Sequence, residues 1–273
     1  MREGALSTET GTGTGTLVAL EDVSKRFLQG RREVQALQGV TFGVVPGELV
    51  VIVGASGCGK STLLKIVAGL VKPTSGAVRK TSAVEGARGI GMVFQDPVLL
   101  PWRSVLKNVL LPTEVIQVPD ARARAMELLE HVGLDSFEQA LPHQLSGGMQ
   151  QRVSICRALL PDPPLLLMDE PFGALDAITR EKLNLLLQRI WSETHKTILF
   201  VTHSIEEAVF LADRIVVMTP RPGRIAEIIE DDLPRPRGVE TFKSPLFADL
   251  SVHIRSMIVG RDDADEPPAG PAE

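Results

Sequence analysis

At 273 residues, with 44% hydrophobic and 23% charged side chains, the chain is long enough for one large soluble domain with a real core. Its net charge of −5 gives no general attraction to nucleic acid or anionic lipid, and no apolar run approaches the roughly 20 residues of a membrane-spanning helix. No basic-then-apolar leader opens the sequence, and Cys58 and Cys156 form neither a disulfide framework nor a metal-ligand spacing, so a reducing, non-secreted setting is expected.

Residues 1–16, which include alternating Gly and Thr from Gly11 to Thr16, show no hydrophobic periodicity and are expected to be disordered. The same holds for the acidic, proline-rich tail 261–273. Between them, strand signals alternate with helical ones, which predicts an α/β architecture around a largely parallel sheet. Residues 49–53 are an unbroken apolar strand. They lead into Gly54-Ala55-Ser56-Gly57-Cys58-Gly59-Lys60-Ser61-Thr62 and then into the helical pattern that follows Leu63. This is the phosphate-cradling loop G-x-x-x-x-G-K-[ST] in its strand–turn–helix context. Its glycines let backbone N–H groups turn toward phosphates, and the helix start adds the positive end of its dipole. Lys60 can reach the β- and γ-phosphates, and the Ser61 hydroxyl can sit on Mg²⁺. The segment predicts binding of a nucleoside triphosphate. Cys58 has two readings: helix dipole and Lys60 lower its pKa, or it fills a variable loop position. The second is preferred, because the loop's N–H groups do the binding.

A strand at 90–94 ends at Gln95, whose amide can touch Mg²⁺ or a water, or simply form a turn. Residues 96–160 break the alternation. Ala121, Ala125, Leu128, Leu129 and Val132 mark one helix there, and Met149, Val153, Cys156 and Leu160 mark another, so a helical insertion is expected. Leu99-Leu100-Pro101-Trp102-Arg103 reads as an exposed apolar loop, either a partner site or a segment covered by the insertion. Leu145-Ser146-Gly147-Gly148 is a second glycine-flanked helix start, with Ser146 as N-cap and free N–H groups for an anion. The strand 165–169 ends in Asp169 and Glu170. Ligands collect at the carboxyl ends of strands in open α/β sheets, so Asp169 suits a Mg²⁺ shell and Glu170 suits polarising a water. Another strand, 197–202, delivers His203 to the same edge, within reach of a γ-phosphate oxygen. A helix through Leu183, Leu187 and Ile190, a strand at 214–218 and an amphipathic helix through Leu246, Phe247, Leu250, Ile254 and Met257 complete the pattern; the last packs on the core or meets a partner.

Over about residues 17–230 this motif order resembles the ATP-binding-cassette ATPases. Their L-S-G-G-Q signature stands here as Leu145-Ser146-Gly147-Gly148-Met149, with Met149 in place of glutamine. The resemblance implies a P-loop NTPase core, with a parallel sheet, an antiparallel β subdomain and a helical subdomain at about 96–160. The ATPase domain would span 17–235, with a helical extension at 236–260. It further implies ATP and Mg²⁺ as cofactors. Lys60, Gln95, Glu170 and His203 would be the catalytic residues, and Ser61, Gln95 and Asp169 the metal ligands. ATP would be held by Phe27, by loop 54–62, by Ser146, Gly147 and Gly148, and by Asp176 of the Ala174-Leu175-Asp176 D-loop. Phe27 would stack on adenine where the family usually has tyrosine, a residue this chain lacks. In such a family two copies dimerise head to tail, each ATP lying between one copy's P-loop and the other's Ser146-Gly147-Gly148.

Residues 95–102, 169–176 and 218–225 resemble importer subunits of the nitrate, sulfonate, taurine and bicarbonate group. That implies membrane-spanning permease subunits docking near Leu99, Leu100 and Trp102, and a periplasmic or extracellular solute-binding protein in the same system. No nucleic-acid partner is expected, and the implied location is the cytoplasmic face of the cell membrane, peripherally bound. A soluble mechanical cassette ATPase of the DNA-repair or chromosome type is the alternative. It inserts long coiled coils between P-loop and signature, for which the stretch from Lys60 to Ser146 is too short. A single set of motifs speaks against a two-cassette protein, and intact Glu170 and His203 speak against a non-catalytic switch.

Overall fold

The structure is a computed structural model that describes residues 15–30 and 32–259. The tails expected to be disordered lie outside the described residues, apart from Gly15 and Thr16. Among the described residues, nine strands (β1–β9) and seven α-helices (α1–α7) follow one another in chain order.

The central sheet holds β5 (Ile90–Val93), β6 (Leu165–Asp169), β7 (Thr197–Thr202), β3 (Leu49–Gly54), β8 (Arg214–Met218) and β9 (Ile225–Glu230), side by side in that order. All neighbours are parallel except β8 and β9. β3, β6 and β7 are buried along their whole length, which is why they read as continuous apolar runs and not as alternations. Their register aligns their carboxyl ends: Val53 pairs with Thr202, and Asp169 with Val201. The segments that follow the three strands therefore emerge at one edge.

A second, antiparallel sheet has the order β2 (Arg32–Val44), β1 (Val18–Gln29), β4 (Ser75–Lys80). Bulges break the β1 register between Leu20 and Val23, between Val23 and Lys25, and between Lys25 and Arg26. They erase the period-two pattern that would have exposed the strand in the sequence. Leu20, Val23, Val40 and Phe42 of this sheet share one core with Val50 and Ile52 of β3 and with Leu63 and Leu64 of α1 (Lys60–Val67).

The helical insertion contains α2 (Val105–Val109), α3 (Ala121–His131) and α4 (Gly147–Leu159), around a core of its own that includes Val109, Ala125, Leu129, Val153 and Cys156. Asp162 ties it to the sheet: its Oδ1 lies 2.9 Å from the Arg124 guanidinium on α3 and 2.6 Å from the Lys196 ammonium beside β7. On the face of the central sheet opposite α1 lie α5 (Ala177–Thr194), α6 (Ile205–Leu211) and α7 (Pro245–Val259). Phe247 and Ile254 of α7 are buried in the main core, and Phe242 stacks on Phe210 of α6 with ring centroids 4.9 Å apart. Between β9 and α7, the buried Arg237 pairs with Asp231 at 3.2 Å and donates to the carbonyls of Val209, Phe210 and Ala212 at the end of α6. These are carbonyls that a helix terminus leaves without partners. No described helix is long and apolar enough to cross a membrane.

Candidate active site: a phosphate loop facing two carboxylates and a histidine

The loop between β3 and α1 is shaped by its glycines. Gly57 and Gly59 have φ of +75° and +110°, and a Cβ at Gly59 would lie 2.8 Å from the Ala36 carbonyl. Lys60, the first residue of α1, is buried, and its ammonium donates to the carbonyls of Gly54 at 2.9 Å and Ala55 at 3.0 Å. It also lies 3.7 Å from Oε1 of Glu170. The Ser61 hydroxyl donates to Oδ1 of Asp169 at 2.6 Å. Burial raises the Asp169 pKa, and the Ser61 hydrogen bond works against that rise.

Glu170 leaves the strand with φ of +44°, a left-handed conformation that non-glycine residues rarely adopt, and its N–H donates to the Val201 carbonyl at 2.9 Å. This turn breaks strand alternation. Both neighbouring acids reach the same edge, Asp169 toward Ser61, and Glu170 toward Lys60 and His203. Nδ1 of His203 is 2.8 Å from Oε2 of Glu170. Behind them Glu207 of α6 is buried, its pKa raised by desolvation. It accepts from the hydroxyl of Thr202, the residue before His203, and lies 3.7 Å from the Arg180 guanidinium. Arg180 donates in turn to the Leu175 carbonyl at 3.0 Å.

A cavity of about 190 Å³ lies against this cluster, lined by Phe27, Gly57, Gly59, Lys60, Ser61, Thr62, Glu170 and Arg221 among others. Phe27 is therefore beside the loop, with the Lys25 ammonium 5.0 Å from its ring centroid. A larger cavity of about 640 Å³, lined by Leu70, Lys80, Met92 and Phe94 among others, includes none of these site residues.

The remaining expected site residues stand apart. Gln95 is exposed beyond β5, and its side chain makes no hydrogen bond within the described residues. Ser146 caps α4 by accepting from the Met149 N–H at 3.3 Å, and both Ser146 and Gly147 are exposed. Gly148 packs so closely on α5 that a Cβ there would lie 2.5 Å from Cγ2 of Thr179. None of 146–148 lines the cavity. Asp176 is exposed and caps α5 by accepting from the Thr179 N–H at 3.0 Å; the Thr179 side chain first, and this backbone bond next, lower its pKa. Cys58 corrects one of its two readings: the thiol is buried, and burial pushes its pKa up despite the nearby Lys60 charge. Arg221, Arg180 and Glu207 were not foreseen. Arg221 lies in the 218–225 segment that carries a family resemblance, but nothing local assigns it to the phosphate loop, and Arg180 and Glu207 are isolated charges on helices.

The family profile described as ABC transporter matches residues 37–173. The taurine import ATP-binding protein TauB of Rhizobium johnstonii is 47% identical over 242 residues, covering 85% of this chain and 92% of TauB. The aliphatic sulfonates import ATP-binding protein SsuB of Bacillus cereus is 44% identical over 226 residues, covering 81% of this chain and 88% of SsuB. Among solved structures, MJ0796, a bacterial ABC transporter cassette, matches with a TM-score of 0.68 at 37% identity, over 78% of this chain and 98% of that one. It is known as a dimer, and as a dimer in a post-hydrolysis state bound to ADP and Pi.

A phosphate loop facing strand-end carboxylates on a parallel sheet, with an antiparallel sheet and a helical insertion beside it, defines a P-loop ATPase of the cassette type. The chain belongs to the ABC transporter family, and it is an ATP-binding, ATP-hydrolysing cassette.

Proposed function

We propose that the chain is the ATPase subunit of an import system of the nitrate, sulfonate, taurine and bicarbonate group, working as a head-to-tail dimer beneath membrane-spanning permease subunits. The names of its relatives TauB and SsuB support import. The observation that carries the dimer is the exposed signature: Ser146 and Gly147 offer helix-start N–H groups that take no part in the chain's own phosphate cavity. A second copy supplies them.

Within one site, Lys60 exchanges its two carbonyl partners for the β- and γ-phosphates, and Phe27 stacks on adenine. Glu170 draws a proton from the attacking water, and His203 holds the Glu170 carboxylate and contacts the γ-phosphate. Ser61 and Asp169 offer adjoining hard oxygens. No group of three or more His, Cys, Asp or Glu side chains among the described residues could cage a metal alone, which suits an ion that also takes phosphate and water. Ser61 and Asp169, with Gln95 from the end of β5, would hold Mg²⁺, which would neutralise charge on the phosphates. Asp176 and the signature complete the site from the partner copy. The permease would seat near Leu99, Leu100 and Trp102, and a periplasmic or extracellular solute-binding protein would deliver the solute. The chain's place is then the cytoplasmic face of the membrane.

Glu170→Gln protein with ATP and Mg²⁺, measured by light scattering, tests the dimer. The expected result is a dimer that persists because cleavage is blocked, against loss of ATP binding in Lys60→Ala. A Glu170→Gln protein that binds ATP and stays monomeric overturns the reading.

A further inference from the structure

The hairpin between β8 and β9 is longer than a tight turn needs, and it lies on the phosphate loop. Gly223 donates to the Ala36 carbonyl at 3.0 Å and accepts from the Gln38 N–H at 2.9 Å. Arg224 secures the contact by donating to Oε1 of Gln38 at 2.6 Å. A Cβ at Gly223 would fall 2.0 Å from the Cys58 carbonyl oxygen, so the two backbones touch. This docking delivers Arg221 to the nucleotide cavity, where its Nη2 and Nε donate to the Gly57 carbonyl at 3.0 and 3.3 Å.

In a trans peptide unit the C=O and the N–H point in opposite directions. Holding the Gly57 carbonyl toward Arg221 therefore turns the Cys58 N–H away from it. There it makes only a long 3.4 Å bond to the Ala55 carbonyl, so it remains available to a stronger acceptor. Charge points the same way. Lys60 has Glu170 at 3.7 Å, whereas Arg221 makes no ion pair among the described residues. A guanidinium without a carboxylate, beside a cavity for a polyanion, is available to that anion.

We propose that Arg221 is a positioning residue for the triphosphate: it fixes the phosphate loop through Gly57 and adds its charge to the cavity. The β8–β9 hairpin thereby sets ATP affinity without taking part in cleavage. This rests on the reading of loop 54–62 as the ATP site, and the test separates the two.

ATP binding by calorimetry and steady-state ATPase kinetics would be measured on the full chain for Arg221→Met, Arg221→Lys and Lys60→Ala. Arg221→Met should raise the ATP Kd and KM about tenfold, the order of one hydrogen bond to a charged group, with kcat within about twofold. Arg221→Lys, which keeps charge and stem, should recover most of the affinity. Wild-type affinity in Arg221→Met, or a fall in kcat with KM unchanged, overturns the inference. If Lys60→Ala also binds like wild type, the phosphate-loop reading fails with it; if only Lys60→Ala loses ATP, the Arg221 role alone fails. Arg221→Gln, judged by the same criteria, serves should Arg221→Met fold poorly.

Discussion

The imidazole Nδ1 of His203 lies 2.8 Å from Oε2 of Glu170, and this contact joins the ends of two neighbouring parallel strands. It fixes one carboxylate oxygen and leaves the other, Oε1, 3.7 Å from the Lys60 ammonium. His203→Ala should free the carboxylate to rotate. The expected result is a loss of about 10²-fold or more in kcat with ATP affinity within a few-fold, read by phosphate release and by nucleotide binding. An unchanged kcat would remove His203 from the mechanism.

Both cysteines are buried and both thiols are raised by desolvation, Cys156 to about 12. Iodoacetamide at pH 8 should therefore leave the native protein unlabelled over hours and modify both residues in denaturant, as mass spectrometry would show. Rapid native labelling at Cys58 would contradict the burial of that loop position.

Arg237 and Asp231 form a buried ion pair, and removing one partner strands the other charge. Arg237→Ala should cost about 3–5 kcal/mol in urea unfolding. Burial already raises the Asp231 pKa, and loss of Arg237 raises it further. A carboxyl whose folded pKa exceeds its unfolded value contributes stability below the unfolded pKa and loses it as pH rises through the folded one. The variant should therefore be relatively less stable at pH 8 than at pH 5.

Asp162 works in the opposite sense. Its hydrogen bond to Lys196, reinforced by Arg124, lowers its pKa. Its stabilisation is therefore present above the ordinary carboxylate value and is lost as pH falls through the lower folded value. Asp162→Asn should melt slightly below wild type at pH 7, and the two melting temperatures should converge as the pH falls below the ordinary carboxylate range. A difference that persists in acid would assign the loss to packing.

Trp102 is 72% exposed, on a loop that is firmly built. Asn108 donates to the carbonyls of Leu100, Arg103 and Ser104, and Arg157 donates to those of Pro97 and Val98 at 2.7 Å. A rigid, unburied tryptophan suits a partner pocket. Trp102→Ala should leave ATPase activity of the isolated chain intact and weaken co-purification with its membrane subunits at least about tenfold. An equal loss of the isolated activity would refute the docking role.

The sequence revealed most where one residue's environment is uniform. β3, β6 and β7 are buried throughout, and β8 is buried after Arg214, so they needed only an apolar run to be seen, and the glycines of loop 54–62 carry their backbone demand in their identity. β1 was hidden by its bulges, and β9 by a burial pattern with no period-two alternation. α6 was hidden by its seven-residue length. In the site, Lys60, Ser61, Asp169, Glu170 and His203 announced themselves because each sits at a strand or helix end. Arg221 and the pair Arg180–Glu207 act across chain separations that no local window can span.

The left-handed backbone at Glu170 has an evolutionary corollary. A non-glycine residue held there costs about 1–2 kcal/mol, a cost carried at the carboxylate proposed to draw the proton from water. Glycine at this position would relax the bend and, given the role proposed for Glu170, silence the enzyme in the same stroke, so drift toward greater robustness at residue 170 would run against turnover.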